Sequence, residues 1–154
     1  MTFHRSDRSP LFTRPWRPAV LAVSENPQVL ARLARVCLPM EPYTRWMVES
    51  DAGCALERLA AAACDLMLVD VEALPPQVDG FVLAARRARA QAAVLLVGEA
   101  QCAPHEDVRL VAWSELPQWA AIELARLRCR AELQRLPGAD LDETTLPDAL
   151  PSLS

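Results

Sequence analysis

Five short apolar runs punctuate the chain at 19–23 (AVLAV), 45–49 (RWMVE), 65–70 (DLMLVD), 93–97 (AVLLV) and 108–113 (VRLVAW). Their length and their content of Val and Leu predict five β-strands. The central runs are apolar almost without alternation, as parallel strands covered on both faces require. Between the runs, apolar residues recur every three or four positions, predicting helices over 27–37, 52–63, 80–90 and 116–136. Asn26 followed by Pro27 supplies an N-cap and a proline in the first turn. Strands alternating with helices and joined by right-handed crossovers predict an α/β, doubly wound, five-stranded parallel sheet of order 2-1-3-4-5.

The flanks lack this pattern. Residues 1–17 carry Arg5, Arg8, Arg14 and Arg17, interrupted by Pro10 and Pro15, and are expected to be a flexible basic arm. The domain is expected over 18–136. From 137 to 154 the chain is acidic and punctuated by Pro, as a tail or a linker to a further domain would be.

Composition narrows the chemistry. The 154 residues fit one domain, and 52% hydrophobic residues with only 5% aromatic imply a core of Ala, Leu and Val. All 16 basic residues are Arg, so no mechanism that needs a lysine ammonium is open to this chain. The formal net charge of −4 gives no general attraction to phosphate backbones or anionic membranes, so no direct nucleic-acid contact and no membrane association are expected. Without a membrane-length apolar run or a secretion signal, the chain is expected in the cytoplasm. Cys37, Cys54, Cys64, Cys102 and Cys129 show no Cys-x-x-Cys spacing or Cys/His pairing of the zinc type, and are expected to be buried, reduced thiols. His4 and His105 are the only histidines and suggest no nucleophilic constellation. No Gly-rich phosphate loop is present. Trp16, Trp46, Trp113 and Trp119 are read as core or rim residues.

Three stretches carry a resemblance: VSENP (23–27), DLMLVDVEALPPQVDG (65–80) and VLLVGEA (94–100). Over residues 18–136 the chain resembles the receiver domain of bacterial response regulators, which implies a flavodoxin-like fold. In that family an acidic pair follows the first strand and a phosphoacceptor Asp ends the third. A Thr or Ser ends the fourth strand, and a Lys followed by Pro ends the fifth.

The resemblance makes Asp70 the phosphoacceptor equivalent, with Pro75, Pro76, Asp79 and Gly80 in the loop that follows. That loop is two residues longer than is usual in the family. The acidic pair falls on Ser24 and Glu25, so Mg²⁺ would be held, weakly, by Glu25 and Asp70 alone. The Thr/Ser position falls on Gly98, and the lysine position on Trp113 or Ser114. Phosphoryl transfer relies on clamping the equatorial oxygens, and most of the clamp is absent. An Asp at a strand end also commonly caps a turn, which is the other reading of Asp70.

The resemblance therefore implies a degenerate pseudo-receiver. It would be no enzyme, need no cofactor, and act through a protein partner or as a homodimer in bacterial signalling or transcription regulation. The loss of the acidic pair is similar to that in degenerate receivers heading some transcription activators, whose effector domains would lie beyond residue 154. One alternative is a working receiver phosphorylated on Asp70 with Mg²⁺; another is a small-molecule sensor using the same cleft.

The stretch 98–113 leaves room for a short fourth helix or none. The long last helix carries two apolar stripes: Ala120, Leu124, Leu127 and Ala131, expected on the sheet, and Ile122, Ala125, Cys129, Leu133 and Leu136, expected to meet a partner, with arginines on the flanks.

Overall fold

The computed structural model describes residues 16–135. Five strands, β1 (Ala19–Val23), β2 (Arg45–Glu49), β3 (Leu66–Asp70), β4 (Ala93–Val97) and β5 (Val108–Val111), form one parallel sheet of order β2-β1-β3-β4-β5. The helices are α1 (Pro27–Cys37), α2 (Ala52–Ala61), α3 (Val78–Ala88) and α4 (Leu116–Arg135).

Side chains alternate across the pleat. Leu21, Val23, Met67, Val69, Val94 and Leu96 pack with Leu59 of α2 and Phe81, Val82 and Ala85 of α3. Val20, Ala22, Leu66, Leu68, Leu95 and Val97 pack with Leu33 and Cys37 of α1 and Leu116, Ala120, Leu124 and Leu127 of α4. Every residue of β1 and β3 is buried because both faces are covered, which is why those runs show no polar alternation. Each fully buried Leu contributes about 1.5–3 kcal/mol. The edge strands β2 and β5 keep partly exposed residues.

Helix ends differ from the periodicity in instructive ways. Asn26 caps α1 as expected, its side chain accepting from the Gln28 N–H at 2.9 Å. Asp51 caps α2 by accepting from the N–H groups of Gly53 and Cys54. That helix stops at Ala61, because Ala62 is already extended and leads the chain towards β3. Helix α3 begins at Val78, two residues ahead of Gly80, because Val78, Phe81, Val82 and Ala85 form one buried stripe at helical spacing. Strand β5 ends at Val111, and Trp113–Glu115 form a single 3₁₀ turn into α4.

Among the described residues no helix lies between β4 and β5, the second of the two outcomes that stretch allowed. Asp107 takes a positive φ of 64°, tolerable for a short polar side chain, and its carboxylate lies near Arg86 and Arg126.

Of the arm expected over 1–17, Trp16 and Arg17 are described and are docked. Trp16 packs beside α4 and Arg128, and the Arg17 guanidinium donates to the Tyr43 carbonyl. Residues 1–15 and 136–154, and with them most of the arm, the tail and Leu136, lie outside the described residues.

Candidate functional site

The carboxyl ends of β1 and β3 meet at the centre of the sheet, where the crossover direction reverses and a crevice opens. Asp70 ends β3 and is buried there. Both of its oxygens are engaged. Oδ2 accepts from the Ser24 hydroxyl at 2.8 Å, and Oδ1 accepts from the Glu72 N–H at 3.1 Å, capping the 3₁₀ turn Val71–Ala73. Ser24 is fully buried and itself accepts from the Asn26 N–H at 3.0 Å. At this point the chain uses an acidic-pair position as a hydrogen-bond bridge between two loops.

Glu25 is exposed, and with Asn26, Pro27, Asp70, Glu72 and Ala73 it lines a cleft of about 390 Å³. Three carboxylates thus border one opening. Mg²⁺ usually keeps several waters and takes one or two carboxylates. Glu25, Asp70 and Glu72 fit a largely hydrated ion on those terms, although Asp70 would have to share oxygens that already accept hydrogen bonds.

Gly98 follows β4 with φ of 129°, a backbone conformation that side chains rarely adopt. A Cβ there would stand 2.6 Å from Cγ2 of Val71, the residue after Asp70. No hydroxyl-bearing side chain can be seated at that position without moving the Val71 side chain or its loop. Trp113 stands at one of the two lysine-equivalent positions, half-buried against the α1/α4 layer, with the Arg32 guanidinium 4.2 Å from its ring centroid. Ser114 is exposed in the same turn.

This architecture has counterparts among solved structures. The signal receiver domain of an HD domain-containing protein from Pseudomonas fluorescens matches at 20% identity over 72% of this chain and 94% of that one, with a TM-score of 0.55. The chain has the receiver fold. A CheY-like response regulator receiver domain protein from Methanospirillum hungatei shares it at 12% identity, 77% and 99% coverage and a TM-score of 0.59. So does the N-terminal domain of a response regulator/sensory box/GGDEF 3-domain protein from Carboxydothermus hydrogenoformans, at 15% identity, 75% and 98% coverage and a TM-score of 0.56. No protein-family profile and no curated protein matches the chain.

On this receiver fold, the last helix bears the two expected stripes. Ala120, Leu124 and Leu127 are buried against the sheet and Ala131 is half-buried. Ile122, Ala125, Cys129 and Leu133 are exposed, Leu133 at 62%. Flanking arginines have partners within the chain. Arg126 pairs with Glu123 at 3.2 Å, and Arg128 pairs with Glu41. The tryptophans sit at the rim of the α1/α4 layer, and Arg109 lies 3.8 Å from the Trp119 centroid. Among the described residues no helix is long and apolar enough to cross a membrane.

The cysteine expectations need correction. All five thiols are free, but only Cys37 and Cys64 are buried, while Cys54 and Cys129 are exposed and Cys102 is intermediate. Burial pushes Cys37 up to about 12, and burial is also the main cause that raises Cys64 to about 11. A Cys/His pairing does exist. Cys102-x-x-His105 places both side chains beside Asp79, a spacing legible in the sequence and overlooked there because Asp79 lies 23 residues from Cys102.

Proposed function

We propose that this chain is a phosphorylation-independent pseudo-receiver, a protein-interaction and dimerisation module in bacterial signalling or transcription regulation, working in the cytoplasm and without catalysis. The observation that carries this reading is the state of Asp70. Its two oxygens hold Ser24 and the 3₁₀ turn in place, which is the work of a structural cap. Around it the transition-state clamp is short of parts. Gly98 offers no hydroxyl, Val71 fills the space one would need, and the chain has no lysine.

The interaction surface in this reading is the outer stripe of α4. At 20 residues, the helix is about 30 Å long, whereas the five-residue strands it covers run about 16 Å. Ala120, Leu124 and Leu127 face the sheet, and on the opposite face Cys129 and Leu133 are exposed and in this reading are offered to a partner or a second copy.

The decisive experiment is incubation of the full chain with a small phosphodonor and Mg²⁺, followed by intact mass. The mass should not change. Stoichiometric aspartyl phosphate on Asp70 would overturn the reading in favour of a working receiver. The shared cleft of Glu25, Asp70 and Glu72 is the observation that favours that second reading. Beryllofluoride with Mg²⁺ separates the two as well, since only a working receiver should respond by a change in tryptophan fluorescence.

A further inference from the structure

We propose that Asp79, Cys102 and His105 form a binding site for a divalent transition cation of the zinc class, separate from the Asp70 cleft. The three residues come from two segments far apart in sequence. Asp79 lies in the first turn of α3, while Cys102 and His105 lie in the loop that stands where a helix between β4 and β5 would otherwise be. One donor atom of each lies within 4.8 Å of the other two. Tetrahedral zinc with bonds of about 2.0–2.3 Å separates its ligand atoms by roughly 3.3–3.7 Å. The His105 Nε2 to Asp79 Oδ1 distance, 3.5 Å, already falls in that range, and the Cys102 Sγ distances, at most 4.8 Å, exceed it by no more than about 1 Å.

Three observations point to a cation. His105 Nε2 is shielded from solvent and has only the long 3.5 Å contact with Asp79 Oδ1 in place of a good hydrogen bond, an arrangement that costs free energy unless something supplies one. The donors are one thiol sulfur, one imidazole nitrogen and one carboxylate oxygen, which suits zinc and its neighbours and does not suit Mg²⁺ or Ca²⁺. With Cys102 ionised, the two negative charges balance a divalent ion and leave the site neutral.

The segment is also held ready. The Ala103 N–H donates to Asp79 Oδ1 at 3.0 Å, which is the main reason the Asp79 carboxyl lies below the usual carboxylate range. His105 is fixed by its backbone bridge to Val108. Asp79 and Cys102 form part of the wall of an open cleft of about 640 Å³, with Gln77 and Gln101 on its rim. A fourth ligand, water or a group from a partner, has room to enter from that side. Sites with three protein ligands and one open position are common for zinc.

A nucleophilic Cys-His pair is the other chemistry these residue types allow, and the geometry argues against it. Partial burial and then the neighbouring Asp79 carboxylate raise the Cys102 thiol, the reverse of what an attacking thiolate needs. A bound cation would displace that proton, so affinity should increase with pH. Occupancy would tie the β4–β5 loop to the start of α3, fixing the surface that replaces the missing helix.

Cobalt is the probe. Co²⁺ added to the chelator-treated full chain should bind one ion per chain, give thiolate-to-cobalt charge-transfer absorption in the near ultraviolet and tetrahedral bands in the visible, and be displaced by Zn²⁺. Cys102→Ser should abolish the charge-transfer band, and Asp79→Asn and His105→Ala should weaken binding at least tenfold. Cys54→Ser, which removes an exposed thiol that also lies beside a carboxylate, and His4→Ala should leave binding unchanged. If a site variant fails to fold, alkylation of the wild-type chain still decides the matter, because Zn²⁺ should protect Cys102 selectively when modified peptides are mapped by mass. Absence of a charge-transfer band, persistence of that band in Cys102→Ser, or equal alkylation of Cys102 with and without Zn²⁺ would each overturn the proposal.

Discussion

Adding a methyl group at Gly98 tests whether the end of β4 is locked by packing against the loop after Asp70. In Gly98→Ala the new Cβ would meet Val71 Cγ2 at 2.6 Å, about 1 Å inside the optimal carbon–carbon separation of roughly 3.5–4.0 Å. Overpacking of that kind costs typically 1–3 kcal/mol. The φ of 129° adds a second cost of about 1–3 kcal/mol, because a Cβ is disfavoured in that region whatever space surrounds it. Together they predict a loss of about 2–6 kcal/mol. With a urea m-value of about 2 kcal/mol/M, the middle of the usual range, that lowers the midpoint by about 1–3 M.

The two contributions can be separated. Val71→Ala removes the clashing methyl and leaves the backbone strain, so in a double-mutant cycle the Gly98→Ala penalty should fall by about 1–3 kcal/mol in the Val71→Ala background. A Gly98→Ala chain within 0.5 kcal/mol of wild type, or a strictly additive double mutant, would refute the argument. The loop after Asp70 would then be free to move, and a hydroxyl at position 98 could be accommodated.

Other substitutions probe the rest of the reading. Ser24→Asp would restore an acidic pair by placing a second carboxylate where a hydroxyl now donates to Asp70 at 2.8 Å. Repulsion should raise the folded-state pKa of the pair, so the variant should melt below wild type at pH 7 and regain stability as pH falls through that raised value, or when Mg²⁺ is added; thermal melts across pH with and without Mg²⁺ check this. Leu133→Glu should leave the fold intact, since Leu133 is exposed, and should reduce self-association or partner binding in sedimentation. A wild-type chain that stays monomeric at high micromolar concentration, with the tail not covering the stripe, would remove the support for a dimer through α4.

What the sequence determined by itself is the architecture. Period-two burial cannot be seen in AVLAV or LMLVD because both faces of those strands are covered, yet that lack of alternation is itself the mark of a parallel sheet between two helix layers. That a fourth helix would be short or missing followed from counting residues between β4 and β5, and the two stripes of α4 from angular spacing alone. The absence of lysine needed no structure.

Only the tertiary structure decided how Asp70 spends its oxygens, because Ser24 and Asp70 are 46 residues apart and their hydrogen bond depends on the register of β1 with β3. The obstruction at Gly98 likewise arises where two strand ends converge and Val71 closes on its neighbour. Arg126 and Arg128, on the flanks of the α4 stripe, met Glu123, Asp107 and Glu41 only once the helix was laid on the sheet. For the Asp79, Cys102 and His105 cluster the division runs through one group of atoms. The Cys-x-x-His spacing is local and legible, whereas the third donor arrives only when α3 packs beside the β4–β5 loop, a contact set by the crossover and invisible to any local pattern.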